Sequence, residues 1–249
     1  MFDDGKGQKG VATTMFLDAY HCRSGGAVRI SAEQASRFAK EVAGDFNPIH
    51  DADARRFCVP GDLMFALVLG YYGLSERMGF RFRGMVGRDV PLVFPDSDAP
   101  GLSIADEQGK VYLDVERDGE VVRDPAVVEA FIRRYAAFSG RNFPEFLEPL
   151  MRERGMMFNP DRPLVLYDSM AFELRRPTTC DLDMVLDTAS LEVDGKRAEE
   201  WLRFQVTDAE AVMGSGSKKV VISGLQPWDE TRMQPFISEY TARRDRFSP

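Results

Sequence analysis

The chain has 249 residues, 44% of them hydrophobic, 29% charged and 11% aromatic, which excludes long disorder, collagen and coiled coil and fits one large domain or two small ones. With 40 acidic residues against 32 basic ones, the net charge is -8 at pH 7, which leaves no basic footprint and argues against nucleic acid or an anionic membrane as partner. The longest unbroken apolar run, Leu63–Leu69, falls far short of the roughly 20 residues that span a bilayer.

Residues 1–26 read as a polar N-terminal extension, with Phe16–Tyr20 a short strand and a Ser-Gly-Gly turn at 24–26. The extension has no apolar leader, and Cys22, Cys58 and Cys180 are odd in number and widely spaced, so a soluble cytoplasmic protein without disulfides is expected. Ser31 and Gln34 then stand at capping-box spacing before Ala35, Phe38, Ala39 and Val42, the apolar face of a helix that Gly44 closes. After the loop 44–61 a second helix is expected from about Asp62, its N-cap, to Met78. Its early turns are apolar on every side, so the helix must be enclosed, and a curved sheet wrapped about it is the economical enclosure. Strand segments follow at Phe80–Phe94, Leu102–Ala105, Lys110–Glu116 and Glu120–Val122.

The second half repeats this order. Asp124-Pro125 opens a helix to about Phe138, a stretch Pro144–Arg154 is interrupted by Pro149, and four strand segments follow at Leu164–Leu174, Leu182–Val193, Arg197–Val206 and Ala211–Gly224. Asp194-Gly195 is a two-residue hairpin signal. The segment RFAKEVAGDFNP (37–48) is echoed by RYAAFSGRNFP (134–144) with one gap. Together these support a tandem duplication of one α+β unit, with two helical hairpins on one continuous sheet as the alternative.

The segment GDFNPIHD (44–51) concentrates an acid, a carboxamide, a rigid Pro and one of only two histidines. Taken alone it fits a loop of Asx turns around Pro48. It also resembles the fingerprint of the MaoC-like dehydratase and (R)-specific enoyl-CoA hydratase family, or a bacterial branch of it. That pattern is an aromatic-Ala helix ending in Ser-Gly-Asp-x-Asn-Pro-[Leu/Ile]-His, here Phe38-Ala39 and then Ala43-Gly44-Asp45-Phe46-Asn47-Pro48-Ile49-His50. A Pro-Gly-x-Leu step, Pro60-Gly61-Asp62-Leu63, follows as in the family.

The resemblance implies a double hotdog of α+β class, in which each unit is a buried helix wrapped by a curved antiparallel sheet. Residues 27–123 form the first unit, 124–226 a degenerate second unit and 227–249 a C-terminal tail. It further implies hydration or dehydration of an enoyl or 3-hydroxyacyl thioester carried on CoA or on an acyl carrier protein, with no resident cofactor or metal. Asp45 and His50 would be catalytic, Asn47 and Pro48 would hold the loop, and the Gly61 N–H would meet the oxyanion. Leu63, Met64, Phe65 and Leu67 would line the acyl chain unless they are plain core, and Arg55 and Arg56 would meet phosphates unless they are a solvated face.

The chain departs from the pattern in several places. Asp45 and Gly61 are only sixteen apart by number, Pro60 replaces a His, and Leu69 and Gly70 stand where a hydroxyl is common. In the second repeat Arg141 replaces the acid and Phe146 the histidine, so one catalytic centre per chain is expected. A non-catalytic acyl-thioester sensor or scaffold and a hotdog thioesterase are the alternative functions. The internal pseudo-dimer leaves association into a homodimer open. Elsewhere His21 has no neighbouring ligand cluster, Cys58 reads as a buried inert thiol, and GSGSKK (214–219) reads as a bulge or hairpin.

Overall fold

The computed structural model describes residues 15–175, 180–209 and 211–247; the tail expected over residues 1–14 lies outside them. A 3-10 turn, Met15–Ala19, leads into the hairpin β1 (Cys22–Ser24) and β2 (Ala27–Arg29), then α1 (Ala32–Phe38), which continues as a π turn over Ala39–Ala43. The capping box on Ser31 and Gln34 is present, and Gly44 closes the helix in the left-handed region at φ 67. The first unit continues with α2 (Gly61–Tyr72), β3 (Leu74–Phe82), β4 (Leu92–Val93), β5 (Gly101–Asp106) and β6 (Val111–Val122).

The second unit comprises α3 (Pro125–Gly140), α4 (Asn142–Glu145), α5 (Leu147–Glu153), β7 (Met156–Met157), β8 (Val165–Leu174), β9 (Leu182–Asp194), β10 (Arg197–Asp208) and β11 (Ala211–Ser223). It is followed by β12 (Gln226–Pro227) and α6 (Glu230–Phe247).

Ten strands form one antiparallel sheet in the order β1-β2-β4-β5-β6-β3-β8-β11-β10-β9. From β4 onward this order is palindromic. Read from its outer edge to the junction, each unit places these four strands as second, third, fourth and first in chain order, and the two units join through their equivalent strands β3 and β8. Gly79 pairs with Ala171 and Met78 with Phe172 at that junction. A duplicated unit related by a pseudo-twofold axis produces such an order, which identifies a double hotdog.

Every residue of Leu63–Leu69 is at most 2% exposed, as an all-apolar helix requires. Fully burying side chains such as Leu63, Phe65 and Leu67 is worth about 1.5–3 kcal/mol each. Phe65 packs on Phe80 of β3 and on Tyr135 of α3, at ring distances of 5.1 and 4.6 Å. In the second unit the place between α3 and β8 belongs to the shorter α5, whose Leu147 and Met151 join a separate apolar cluster with Leu191, Ile222 and Met233. Among the described residues no helix is long and apolar enough to cross a membrane.

Several sequence expectations need correction. Residues 15–26 are not part of a polar extension. Phe16–Tyr20 lies mostly in the 3-10 turn rather than a strand, and Leu17 and Tyr20 are buried in the core. The helix expected to reach Met78 ends at Tyr72, because Gly73 at φ 83 turns the chain into β3. Phe80–Phe94 is split between β3 and β4, whereas Lys110–Glu116 and Glu120–Val122 belong to a single strand, β6. Pro149 falls in the first turn of α5, where a missing N–H costs nothing. The tail expected over 227–249 is largely the helix α6, anchored by buried Met233 and Tyr240. GSGSKK runs through the interior of β11.

The two units also meet where α3 ends. A Cβ on Gly140 would lie 1.9 Å from the backbone oxygen of Ala43, so the two chain segments that echo each other in sequence meet without room for a side chain. Gly140→Ala is expected to destabilise the protein by about 1–3 kcal/mol, read as a lower urea midpoint. Gly101→Ala, where a Cβ would meet nothing within 4 Å, is the control expected to leave it unchanged.

Candidate active site

The loop that follows Gly44 is built from its own side chains. Asp45 N–H closes back on Ala39 O at 2.8 Å, Asp45 Oδ1 accepts from Asn47 N–H at 2.8 Å, and Asn47 Oδ1 accepts from Ile49 N–H at 3.1 Å. Pro48 opens the 3-10 turn Pro48–His50. These Asx turns bring Asp45 Oδ2 to 3.5 Å from His50 Nε2. On the other side of the ring, Nδ1 lies 2.7 Å from Cys58 O. A carbonyl only accepts, so Nδ1 carries the proton, and a neutral ring presents a lone pair at Nε2 toward Asp45. Asp45 and His50 line one cavity of about 450 Å³ between the two units, with Gly61, Met64, Ser139 and Lys218 also on its walls.

Gly61 is the first residue of α2, with Pro60 at the N-cap. Its N–H has no partner among the described residues and stands at the positive end of the helix. A Cβ here would lie 2.6 Å from Tyr167 Cδ1, so this close approach requires glycine.

Asp62 does not cap α2 as expected. Its carboxylate turns inward, 6% exposed, and both oxygens lie 2.8 Å from Ser139 Oγ. Lys218 Nζ donates to the same Oγ at 2.5 Å. Burial pushes the Asp62 carboxyl above its usual range, while Lys218 and Ser139 pull it down. Behind them Asn142 Nδ2 donates to Glu200 Oε2 at 2.7 Å, and burial raises Glu200 to about 7.

Of the expected acyl-lining residues only Met64 reaches the cavity; Leu63, Phe65 and Leu67 are 0% exposed and serve as core. Arg55 and Arg56 are exposed and line none of the cavity, because the loop carrying them runs over the outer surface. Burial pushes the Cys58 thiol up to about 12, leaving it inert. Buried His21 directs Nδ1 at Leu17 O, 2.9 Å away. Among the described residues no group of three His, Cys, Asp or Glu side chains could hold a metal.

Sequence reasoning missed Ser139, Lys218 and Tyr240. Tyr240 of α6 donates its hydroxyl to Asp45 Oδ1 at 3.3 Å and accepts from Phe46 N–H at 3.1 Å. Two of them had a readable signal. Lys218 alternates with Val220 and Ile222 on one strand face, and Met233 and Tyr240 share a helix stripe at i, i+7.

The sequence matches a protein family described as "Protein of unknown function (DUF3581)" over residues 15–231. The chain belongs to this family. No functionally curated protein matches the sequence. Among solved structures, it is similar to a tesB protein of Mycobacterium avium subs paratuberculosis (9% identity, 84% of this chain and 99% of that one, TM-score 0.44). It is also similar to a conserved protein of unknown function with a hot dog fold from Alicyclobacillus acidocaldarius (10% identity, 84% and 97%, TM-score 0.46). A third is the full-length peroxisomal multifunctional enzyme type 2 of Drosophila melanogaster (11% identity, 77% and 47%, TM-score 0.41). The double-hotdog assignment itself rests on the strand order.

Glu200 makes the site sensitive to pH. Its folded carboxyl, near 7, binds a proton more tightly than the ordinary carboxyl at 4.5. Stability therefore falls as pH rises through the window from 4.5 to about 7, by up to about 3 kcal/mol. Glu200→Gln is expected to flatten that slope, measured as urea midpoints across the same range.

Proposed function

We propose that the protein hydrates an enoyl thioester, or dehydrates the corresponding 3-hydroxyacyl thioester, carried on CoA or an acyl carrier protein. The observation that carries this reading is Asp45 Oδ2 lying 3.5 Å from a His50 Nε2 whose lone pair is set by the Cys58 carbonyl. Both groups face one cavity that also receives Gly61. The motif's resemblance to MaoC-like hydratases supports the same reaction.

In the hydration direction His50 Nε2 takes a proton from water as the water oxygen bonds to the β-carbon. The electron pair of the double bond moves to the thioester oxygen, which the Gly61 N–H holds at the start of α2. The proton passes from His50 to Asp45, which delivers it to the α-carbon as the thioester carbonyl reforms. Tyr240 fixes the carboxylate of Asp45 in place. No cofactor takes part. The reducing cytoplasm suits the free Cys22, Cys58 and Cys180.

One observation favours a second reading, thioester hydrolysis: Asp62 places a carboxylate on α2 within the same cavity. The same His50 would then activate water against the carbonyl, releasing the thiol.

Crotonyl-CoA separates these outcomes. Hydration removes the enoyl absorbance without releasing free thiol, and Asp45→Ala and His50→Ala are each expected to cost about 10²–10⁴-fold. Thiol release instead selects hydrolysis. A raised melting temperature without turnover selects an acyl-thioester sensor, and inertness in every arm removes the reading. Tyr240→Phe is expected to lower kcat about tenfold with KM unchanged, a loss confined to the transition state.

A further inference from the structure

α6 lies outside both hotdog units, yet it carries two aromatic side chains, Phe236 and Tyr240, onto the wall of the cavity that holds Asp45 and His50. The two stand at i, i+4, one above the other on a single helix face. Buried Met233 and Tyr240 anchor the helix, and ion pairs hold both of its ends. Glu230 pairs with Arg152 at 2.6 Å and Arg232 with Asp161 at 2.7 Å near its start, and Arg243 pairs with Asp51 at 2.5 Å near its end. Phe236 is thereby fixed against the cavity.

The path of contacts from the acid to this ring is short. Tyr240 donates to Asp45 Oδ1 at 3.3 Å, and its ring centre lies 5.0 Å from that of Phe143, which also lines the cavity. Phe143, Phe158 and Phe236 then close on one another, with ring centres 5.6, 5.5 and 5.3 Å apart. A hydrocarbon chain passing between two rings needs about 3.5–4.0 Å to each of them, or roughly 7–8 Å from ring to ring. No pair in the triad leaves that space. Phe143 and Phe236 are only half-buried and line the cavity, so a ligand there can touch both.

We propose that the triad of Phe143, Phe158 and Phe236 is the stop that limits acyl length, with Phe236 its specificity-determining residue. An acyl group whose α-carbon lies at Asp45 meets the triad within the length of one tyrosine side chain, so short acyl groups fit and long ones do not. The inference rests on the thioester reading above and narrows its substrate class.

Isothermal titration of butyryl-CoA and octanoyl-CoA into the full chain tests it, since neither has a double bond to hydrate. In the wild type butyryl-CoA is expected to bind at least about tenfold more tightly, although the extra methylenes of octanoyl-CoA would favour it in an open apolar site. Phe236→Ala is expected to move that ratio at least about tenfold toward octanoyl-CoA, and Phe236→Leu in the same direction by less. The leucine variant, which keeps apolar packing on α6, decides the matter if the alanine variant does not fold. Octanoyl-CoA binding as tightly as butyryl-CoA in the wild type, or more tightly, overturns the stop and leaves the thioester reading standing. A ratio that the substitutions do not move has the same result. Binding of neither compound removes the thioester reading and the stop together.

Discussion

The contact between the Ala43–Gly44 corner and the end of α3 governs the rest of the molecule. Two helix ends, equivalent in the duplicated sequence, meet so closely that Gly140 can carry no side chain. That apposition sets Ser139 and Asn142 of the second unit on the cavity that holds Asp45 and His50 of the first. Neither unit alone could line this cavity, because the first supplies Asp45, His50 and Asp62 and the second supplies Ser139, Asn142 and Lys218. The pairing of β3 with β8 fixes the same relation from the sheet side.

Much of the architecture was legible because it follows from local periodicity. The apolar run Leu63–Leu69 demanded an enclosure, and it is enclosed. The four long strands of the second unit were bounded within a few residues, since alternation and the Asp194-Gly195 turn mark them. The first unit was harder. Its helix ends six residues earlier than expected because a glycine outside the right-handed region overrides the apolar pattern that continues through Leu74 and Met78. The ends of the chain were misjudged because polar composition hid sparse anchors: Leu17 and Tyr20 at one end, Met233 and Tyr240 at the other.

The site was legible only in part. The Asx turns of 44–51, legible from its residue types, are what place Asp45 beside His50. The partners from distant sequence were not legible. Asp62 stood at a helix start, where capping was the natural assignment. Instead, buried Lys218 makes an inward-turned carboxylate tolerable, a fact that no local pattern around residue 62 contains.

The last helix also constrains when the site can exist. Tyr240 reaches Asp45, and Arg243 pairs with Asp51 at 2.5 Å, so a loop near the beginning of the chain is secured by residues near its end. A growing polypeptide can therefore lay down both helices and the whole sheet before that loop acquires its final brace. The loop reaches its final arrangement only once α6 has docked against it.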